Sequence, residues 1–484
     1  MAAYLLSAAG FAVGGSFVPA GDLGLRHDVQ LLADSGVVNS PMTSWPMSWE
    51  ALAYDLSSVP DDSTLPTAVR KTIERVKGRV DANTRRNAAR FRGGLGFADN
   101  PTAIRGFQYT PREEGEATAG FSWLGERLSI NLQATVVSDA SDGQDFRADG
   151  SEIGLRLGNF TYALSMTDRW WGPGWDGSLI LSNNARPIPA FTIRRDVLKP
   201  FETKWLAWLG PWDLRAMWGE MESDRVVPNA NFFGMRFNFR PHPMLEIGLS
   251  RTAQLCGEGR PCGFDVFWDM FWGNDNVGDG GITPENEPGN QLAGADVRWS
   301  NTWFGTPMAF YAQFIGEDEA GGFPSRYMGM GGVELTALSK FSGTSYRWFA
   351  EVASVSCDVF DSNPGHNCAY NNSIYQTGYR YRGRVVGHGA EGGALITSLG
   401  MVMATAGGNL FSALIRSGEL NKGGRPNNTL TPIPLDIISA DLSYAHNFSR
   451  HRIEFGLGYQ DLEDPATGTS DDEIRTFIQW RWNP

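Results

Sequence analysis

The stretch Arg169–Trp175, RWWGPGW, places three indole rings within seven residues, and Asp176, Asn183, Asn184 and Arg186 follow closely. Indoles offer flat apolar faces, while amides, carboxylates and guanidinium groups bond hydroxyls. Two arrangements are open. Trp170, Trp171 and Trp175 can form an aromatic shelf with Asp176, Asn183, Asn184 and Arg186 as hydroxyl readers. Alternatively the rings fold inward and plug a cavity against inward-facing arginines; Leu179, Ile180 and Leu181 also need burial and favour this arrangement. The same mixture of residue types recurs in two expected long loops. Phe267–Gln291 carries Trp268, Trp272, Asn274, Asp275, Asn276, Glu285, Asn286, Glu287 and Asn290. Glu317–Tyr327 carries Glu317, Asp318, Glu319, Arg326 and Tyr327. The Asn/Asp run in Gly273–Gly280 can also serve as turn chemistry, and it lacks the frame of a calcium loop, so no metal is expected. Glu317, Asp318 and Glu319 could supply the two carboxylates of a glycosidase, but adjacent acids in an exposed loop read more simply as a solvated rim. The chain has no G-x-S-x-G, H-E-x-x-H, phosphate-binding loop or dinucleotide fingerprint. Neither an enzyme nor a cofactor is expected.

These residues need elements to hold them. Leu25, Val29 and Leu32, then Trp49, Leu52 and Leu56, then Val69, Ile73, Val76 and Val80 recur at helical spacing. Residues 22–85 are therefore expected to form a small helical bundle. Beyond them the period changes to two. In Leu128–Val137 the apolar set Leu128, Ile130, Leu132, Ala134 and Val136 faces away from Ser129, Asn131, Gln133 and Thr135. Phe233–Arg240, Arg452–Tyr459 and Ile474–Trp482 alternate in the same way, with arginine and glutamate on the polar face. Alternation fits a soluble sandwich or a membrane barrel equally well. Loop lengths separate the two. Tight connections near Gly125, Gly158, Gly210, Arg240–Pro243, Ala406–Asn409 and His446–His451 alternate with long loops at Ser138–Gly150, Met221–Asn231, Ala253–Gly289, Glu317–Arg326, Ser356–Gly389, Asn421–Pro434 and Gln460–Asp472. Short turns on one rim and long loops on the other mark an outer-membrane barrel. About 18 antiparallel strands are expected over residues 86–484, with Ala190–Leu209 read as one strand and the helices on the short-turn, periplasmic side.

Composition agrees. Charge is −13 over 484 residues, which excludes nucleic acid as an expected partner. Glycine (58) and tryptophan (17) are abundant and no apolar run is long enough for a membrane helix, an absence that leaves a β-barrel open. Tyr4–Val18 is apolar and rich in small residues; residues 1–21 read as a signal remnant or a flexible start. Cys256/Cys262 and Cys357/Cys368 lie in long-loop segments. Disulfides in an oxidising compartment fit them; free thiols and a zinc site are the alternatives.

Several unusual stretches carry a family resemblance: RHDVQLLADSGVV and SWPMSW within Arg26–Trp49, RWWGPGWDGSLI (Arg169–Ile180), WLAWLGPW (Trp205–Trp212), GEGRP and FWDMFWGNDN within Gly257–Asn276, NEPGNQLAGADVRW (Asn286–Trp299) and IGEDEAG (Ile315–Gly321). Through them the chain resembles the capsule-assembly Wzi family of outer-membrane proteins. The resemblance implies an 18-stranded barrel closed by a periplasmic helical bundle. It also implies a lectin-like protein that binds exported capsular polysaccharide and organises it at the cell surface, without catalysis; a monomer is expected. The residues of the two long loops named above become the expected glycan-binding set. A sugar-selective porin and a glycan-modifying enzyme are the alternatives. The closely spaced cysteine pairs and the Asn483-Pro484 ending depart from the family pattern.

Overall fold

The computed structural model describes residues 16–59, 65–272, 289–303, 306–320 and 323–482. Its wall is a closed antiparallel sheet. The strands are β1 (Ala89–Asp99), β2 (Gly115–Leu124), β3 (Leu128–Ser138), β4 (Phe146–Arg147 continued by Glu152–Leu157), β5 (Phe160–Ser165), β6 (Ala190–Arg195), β7 (Trp212–Glu220), β8 (Asn231–His242) and β9 (Leu245–Leu255). Next come β10 (Gly289–Trp303), β11 (Thr306–Ala320), β12 (Phe323–Leu338), β13 (Ser345–Ser354), β14 (Leu395–Ala404), β15 (Leu410–Leu420), β16 (Leu435–Phe448), β17 (His451–Asp464) and β18 (Thr469–Trp482). Both pieces of β4 pair with β3, so they make one interrupted strand and the wall has eighteen. β18 closes on β1 from Thr476↔Asp99 to Trp482↔Gly93.

The burial pattern is that of a soluble protein turned inside out. Along β17, outward Phe455 and Leu457 are 50% and 53% exposed, while inward Glu454 is 3% exposed. Arg194, Arg215, Arg236, Arg298, Arg347, Arg416 and Arg475 all point inward and are buried. A soluble sandwich would bury the phenylalanines and solvate the arginines, so this pattern chooses the membrane barrel. Aromatic side chains collect at both rims. Trp205, Trp208, Phe341 and Phe448 are exposed at the short-turn rim, and Phe146 and Phe360 at the long-loop rim.

Three helices occupy the expected stretches: α1 (Leu23–Asp34), α2 (Trp49–Ser57) and α3 (Thr67–Thr84). Asp22 caps α1 by accepting from Leu25 N at 2.9 Å, and Ser48 caps α2 through Ala51 N. Their apolar faces merge with inward Tyr311, Phe349 and Val402 in one cluster, so the helices lie at and inside the short-turn end of the barrel. Among the described residues no helix is long and apolar enough to cross a membrane.

Several expectations need correction. Glu317–Arg326 and Gln460–Asp472 are not long loops: β11 runs to Ala320 with β12 resuming at Phe323, and β17 runs to Asp464 with β18 resuming at Thr469. Acidic residues in these stretches suggested loops, but they occupy ladder positions in hairpins. Ala190–Leu209 is not one strand; β6 ends at Arg195, and Ala207–Leu209 forms a tight helical turn on the short-turn rim. A fourth helix, α4 (Phe264–Trp272), replaces part of the expected Ala253–Gly289 loop.

Candidate functional site

Side chains fill the lumen in three layers. The innermost is α1. Its Asp34 carboxylate accepts from Arg298 Nη1 and Nη2 at 2.8 and 3.0 Å and from Arg347 Nη2 at 3.3 Å. Glu334 pairs with the same two arginines, so two acids and two bases close a buried square between helix and wall. Burial alone would raise the pKa of Asp34, but Arg298 and then Arg347 outweigh it and hold the carboxyl below its usual value. Asp28 meets Arg75 of α3 at 2.6 Å, and Arg75 continues to the carbonyls of Thr405 and Ala406 in a short turn. Glu246 of β9 accepts from Met42 N and Thr43 N of the α1–α2 linker. Arg236 binds Asp296 at 2.5 Å and also reaches Thr43 and Ser44.

The middle layer is residues 166–189, which leave the wall after β5 and return at β6. Trp170, Trp171 and Trp175 are buried, at 3% exposure or less. The rings therefore pack inside the lumen, and the shelf arrangement does not occur. Trp170 and Trp171 pair with Trp45 and Ser44 in a two-residue ladder, which ties this layer to the helices. Arg26 of α1 lies 4.3 Å from the Phe107 and Trp175 rings and donates to the carbonyls of Pro173 and Gly174. Glu351 of β13 accepts from Trp175 N and Gly177 N, both at 2.9 Å. Asp176 receives Arg416 Nη2 at 2.6 Å and Ser398 Oγ at 2.5 Å. Burial pushes Asp176 up, but Arg416 overcomes this and the carboxyl titrates below its usual value. Gln313 accepts from Leu179 N at 2.7 Å and donates to Trp171 O at 2.9 Å. Asn183 and Asn184 donate to Phe107 O and Val385 O, and Arg186 binds Asp142 and Asp149. Of the expected hydroxyl readers, Asn183 and Asn184 are thus buried with their amide N–H groups bonded to backbone, and Asp176 and Arg186 are paired with counter-charges.

The outer layer is a lid from the β13–β14 connection. Tyr370 and Tyr379 are fully buried, and their hydroxyls donate to Leu179 O at 2.6 Å and Ile180 O at 2.7 Å of the middle layer. Arg380 binds Glu391 at 2.6 Å. His388 faces Gly177 so closely that a Cβ there would overlap its ring. Burial lowers His388 to about 4, with Asp176 opposing and Arg416 reinforcing the shift. Cys357–Cys368 bridges the lid's outer loop and Cys256–Cys262 bridges the loop before α4, so both cysteine pairs form disulfides. Cavities of about 110 Å³ and about 190 Å³ remain between the plug and the wall.

The structure does not gather the expected glycan-binding residues. Asn274, Asp275, Asn276, Glu285, Asn286 and Glu287 lie outside the described residues, as do the side chains of Asp318 and Glu319. Asn290 is buried and donates to Gln254 at 2.9 Å. Glu317 accepts from Tyr370 N and so supports the lid. Arg326 pairs with Asp358 at 3.2 Å, and Tyr327 is half-buried. Trp268 and Trp272 are exposed, but on α4, which packs against the outer face of the barrel wall. Sequence reasoning followed tryptophan and missed the lid's outer face. There Asn363, Asn367 and Gln376 of the lid are exposed, as are Lys422 and Asn427 of the β15–β16 connection. Arg425 of the β15–β16 connection joins the two segments, donating to Asn367 O at 2.7 Å and Asn427 Oδ1 at 2.8 Å. The Asn pairs at 371–372 and 427–428 were the available signal.

Fold and site together define a class: a membrane-type β-barrel whose lumen is stoppered by its own chain. The family described as Capsule assembly protein Wzi matches residues 87–473, and the chain belongs to it. A Klebsiella pneumoniae protein described as an uncharacterized 55.8 kDa protein in the cps region is 35% identical over 334 residues, 68% of this chain. The chain spans 64% of that relative's length. The solved structure of Wzi from Escherichia coli, described as an outer-membrane protein involved in group 1 capsule assembly and a carbohydrate-binding β-barrel, matches with a TM-score of 0.84 and 27% identity, over 96% of this chain and 99% of that one.

Proposed function

We propose that this chain is a monomeric outer-membrane lectin that holds capsular polysaccharide at the cell surface, with α1–α3 facing the periplasm and the lid facing outward. One observation carries the reading: three bonded layers fill the lumen, so the polar face a polymer can meet is the outside of the lid. Membership of the Wzi family and the carbohydrate binding described for the Escherichia coli protein support it. Each amide or guanidinium contact to a hydroxyl contributes about 1 kcal/mol. Tight retention then comes from many repeats engaging many copies of the protein.

The test is retention of the host's capsular polysaccharide by purified protein in detergent. Wild type should retain it. A triple variant, Asn367→Ala, Arg425→Ala and Asn427→Ala, should retain several-fold less while unfolding at the same temperature. Failure of the wild type to retain any glycan would remove the reading. The cavity of about 190 Å³ with Arg92, Arg147 and Arg481 in its lining is the observation that favours a sugar porin instead, and a steady open conductance of the wild type would establish that alternative.

A further inference from the structure

α4 is an odd element in a barrel of this kind. It follows the Cys256–Cys262 bridge, which turns the chain back immediately after β9. The helix then lies on the outside of the wall. Phe233, Ala253 and Leu255 are outward-facing strand positions, yet they are nearly fully buried because Phe267, Met270 and Phe271 cover them. Phe267 packs edge-on against Phe233 and Trp218 with ring centroids at 5.2 and 5.5 Å. Arg251, another outward position, donates to the carbonyls of Met270 and Phe271, both at 2.7 Å, and so satisfies the helix's C-terminal end.

Among the described residues, none covers the opposite face of α4. Phe264, Trp268 and Trp272 follow at four-residue intervals, one aromatic stripe along the helix. They are 76%, 46% and 62% exposed. The stripe continues the outward apolar belt of Trp218 and Leu249. It lies at the long-loop end, where Phe146 and Phe360 are also exposed. An aromatic face with the apolar wall behind it suits the boundary between acyl chains and headgroups, where such rings concentrate.

We propose that α4 is an interfacial helix whose Phe264–Trp268–Trp272 face inserts among the lipids of the membrane's outer leaflet, anchoring that side of the barrel. The proposal rests on the reading of the barrel as membrane-embedded, and it gives Trp268 and Trp272 a lipid partner in place of a glycan. The disulfide then serves to hold the helix flat on the wall.

The test is tryptophan quenching in vesicles of phosphatidylcholine brominated high or low on its acyl chains. Wild type is compared with the double variant Trp268→Phe, Trp272→Phe and with single Trp272→Ala. Belt tryptophans such as Trp299 and Trp348 should be quenched in every form, which checks the embedded reading separately. The double variant should lose quenchable emission, mainly with bromine near the headgroup. Equal quenching of wild type and double variant, with the belt still quenched, would overturn the proposal. So would a several-fold loss of capsular polysaccharide retention in the double variant, which would return the stripe to the glycan. A concentration-dependent dimer in detergent that the variants abolish would assign it instead to a second copy.

Discussion

Wall arginines such as Arg236 and Arg475 are visible in the sequence as the polar half of an alternating strand, but the partners of the lumen's arginines are not. Asp176 and Arg416 are 240 positions apart, and Asp34 and Arg347 are 313 apart. Pairing over such distances depends on closure of the wall, which periodicity does not encode. Buried pairs of this kind stabilise little over apolar substitutes, yet breaking one is costly because a lone charge stays in a dry site. Asp176→Ala should therefore destabilise the folded protein by about 3–5 kcal/mol, read as a fall in unfolding temperature in detergent. Asp176→Leu with Arg416→Met should cost much less than either single change. Acid acts on the same cluster. His388 has its pKa depressed to about 4 by burial, so between the ordinary histidine value of 6.5 and 4 the unfolded chain binds the extra proton. Stability is then full above 6.5 and falls as pH drops through that window, by about 3 kcal/mol in all. The lowered Asp34 and Asp176 act below it, in the same direction. His388→Gln should therefore remove this contribution, making unfolding temperature fall less, or rise more, than in the wild type between pH 7.5 and 4. An unchanged slope in that variant would show that the histidine is not the group responsible.

At the scale of elements, hydrophobic period carried most of the information. Valine and leucine at helical spacing located α1, α2 and α3, and alternation located the strands, because each period reports one face meeting one environment. It failed where polarity replaced periodicity as the guide. The acids of Glu317–Glu319 suggested a loop but lie within β11, and the aromatics of α4 resembled a binding loop because both of its faces are apolar. The lid is a different case: the Ser356–Gly389 loop was expected, but its inward turn was not, since Tyr370 and Tyr379 bond carbonyls nearly 200 positions away. What holds the lid's outer loop is the Cys357–Cys368 bridge across 11 positions. A closed loop of that size contributes about 2–3 kcal/mol by restricting the open chain. Cys357→Ser with Cys368→Ser should leave the barrel's unfolding temperature nearly unchanged while making residues 358–367 much more sensitive to protease. Equal protease resistance with and without the bridge would mean that Tyr370 and Arg380 alone secure the lid.

Closure of the whole molecule follows from adding the layers, and it decides what opening them should do. Wild-type protein in a planar bilayer should give no steady conductance, because α1, the tryptophan layer and the lid each cross the lumen. Removing residues 22–80 strips away only the inner layer. Arg298, Arg347 and Arg236 then lose Asp34, Thr43 and Ser44 and face a new aqueous vestibule, while Trp171 still hangs from Gln313 and Tyr379 still bonds Ile180. The tryptophan layer itself loses its ladder to Trp45 and the Arg26 contacts. Brief, small openings are therefore expected from this deletion, and steady current only when residues 358–392 are shortened as well. The arginine-rich lumen so exposed should favour anions, since fixed positive charge lining a pore concentrates them. Reversal potentials in a salt gradient measure that preference. A cation-selective double deletion would mean that the acids of the wall, Glu334, Asp296 and Glu351, dominate the open lumen. Steady current through the intact protein would mean that the three layers do not close it.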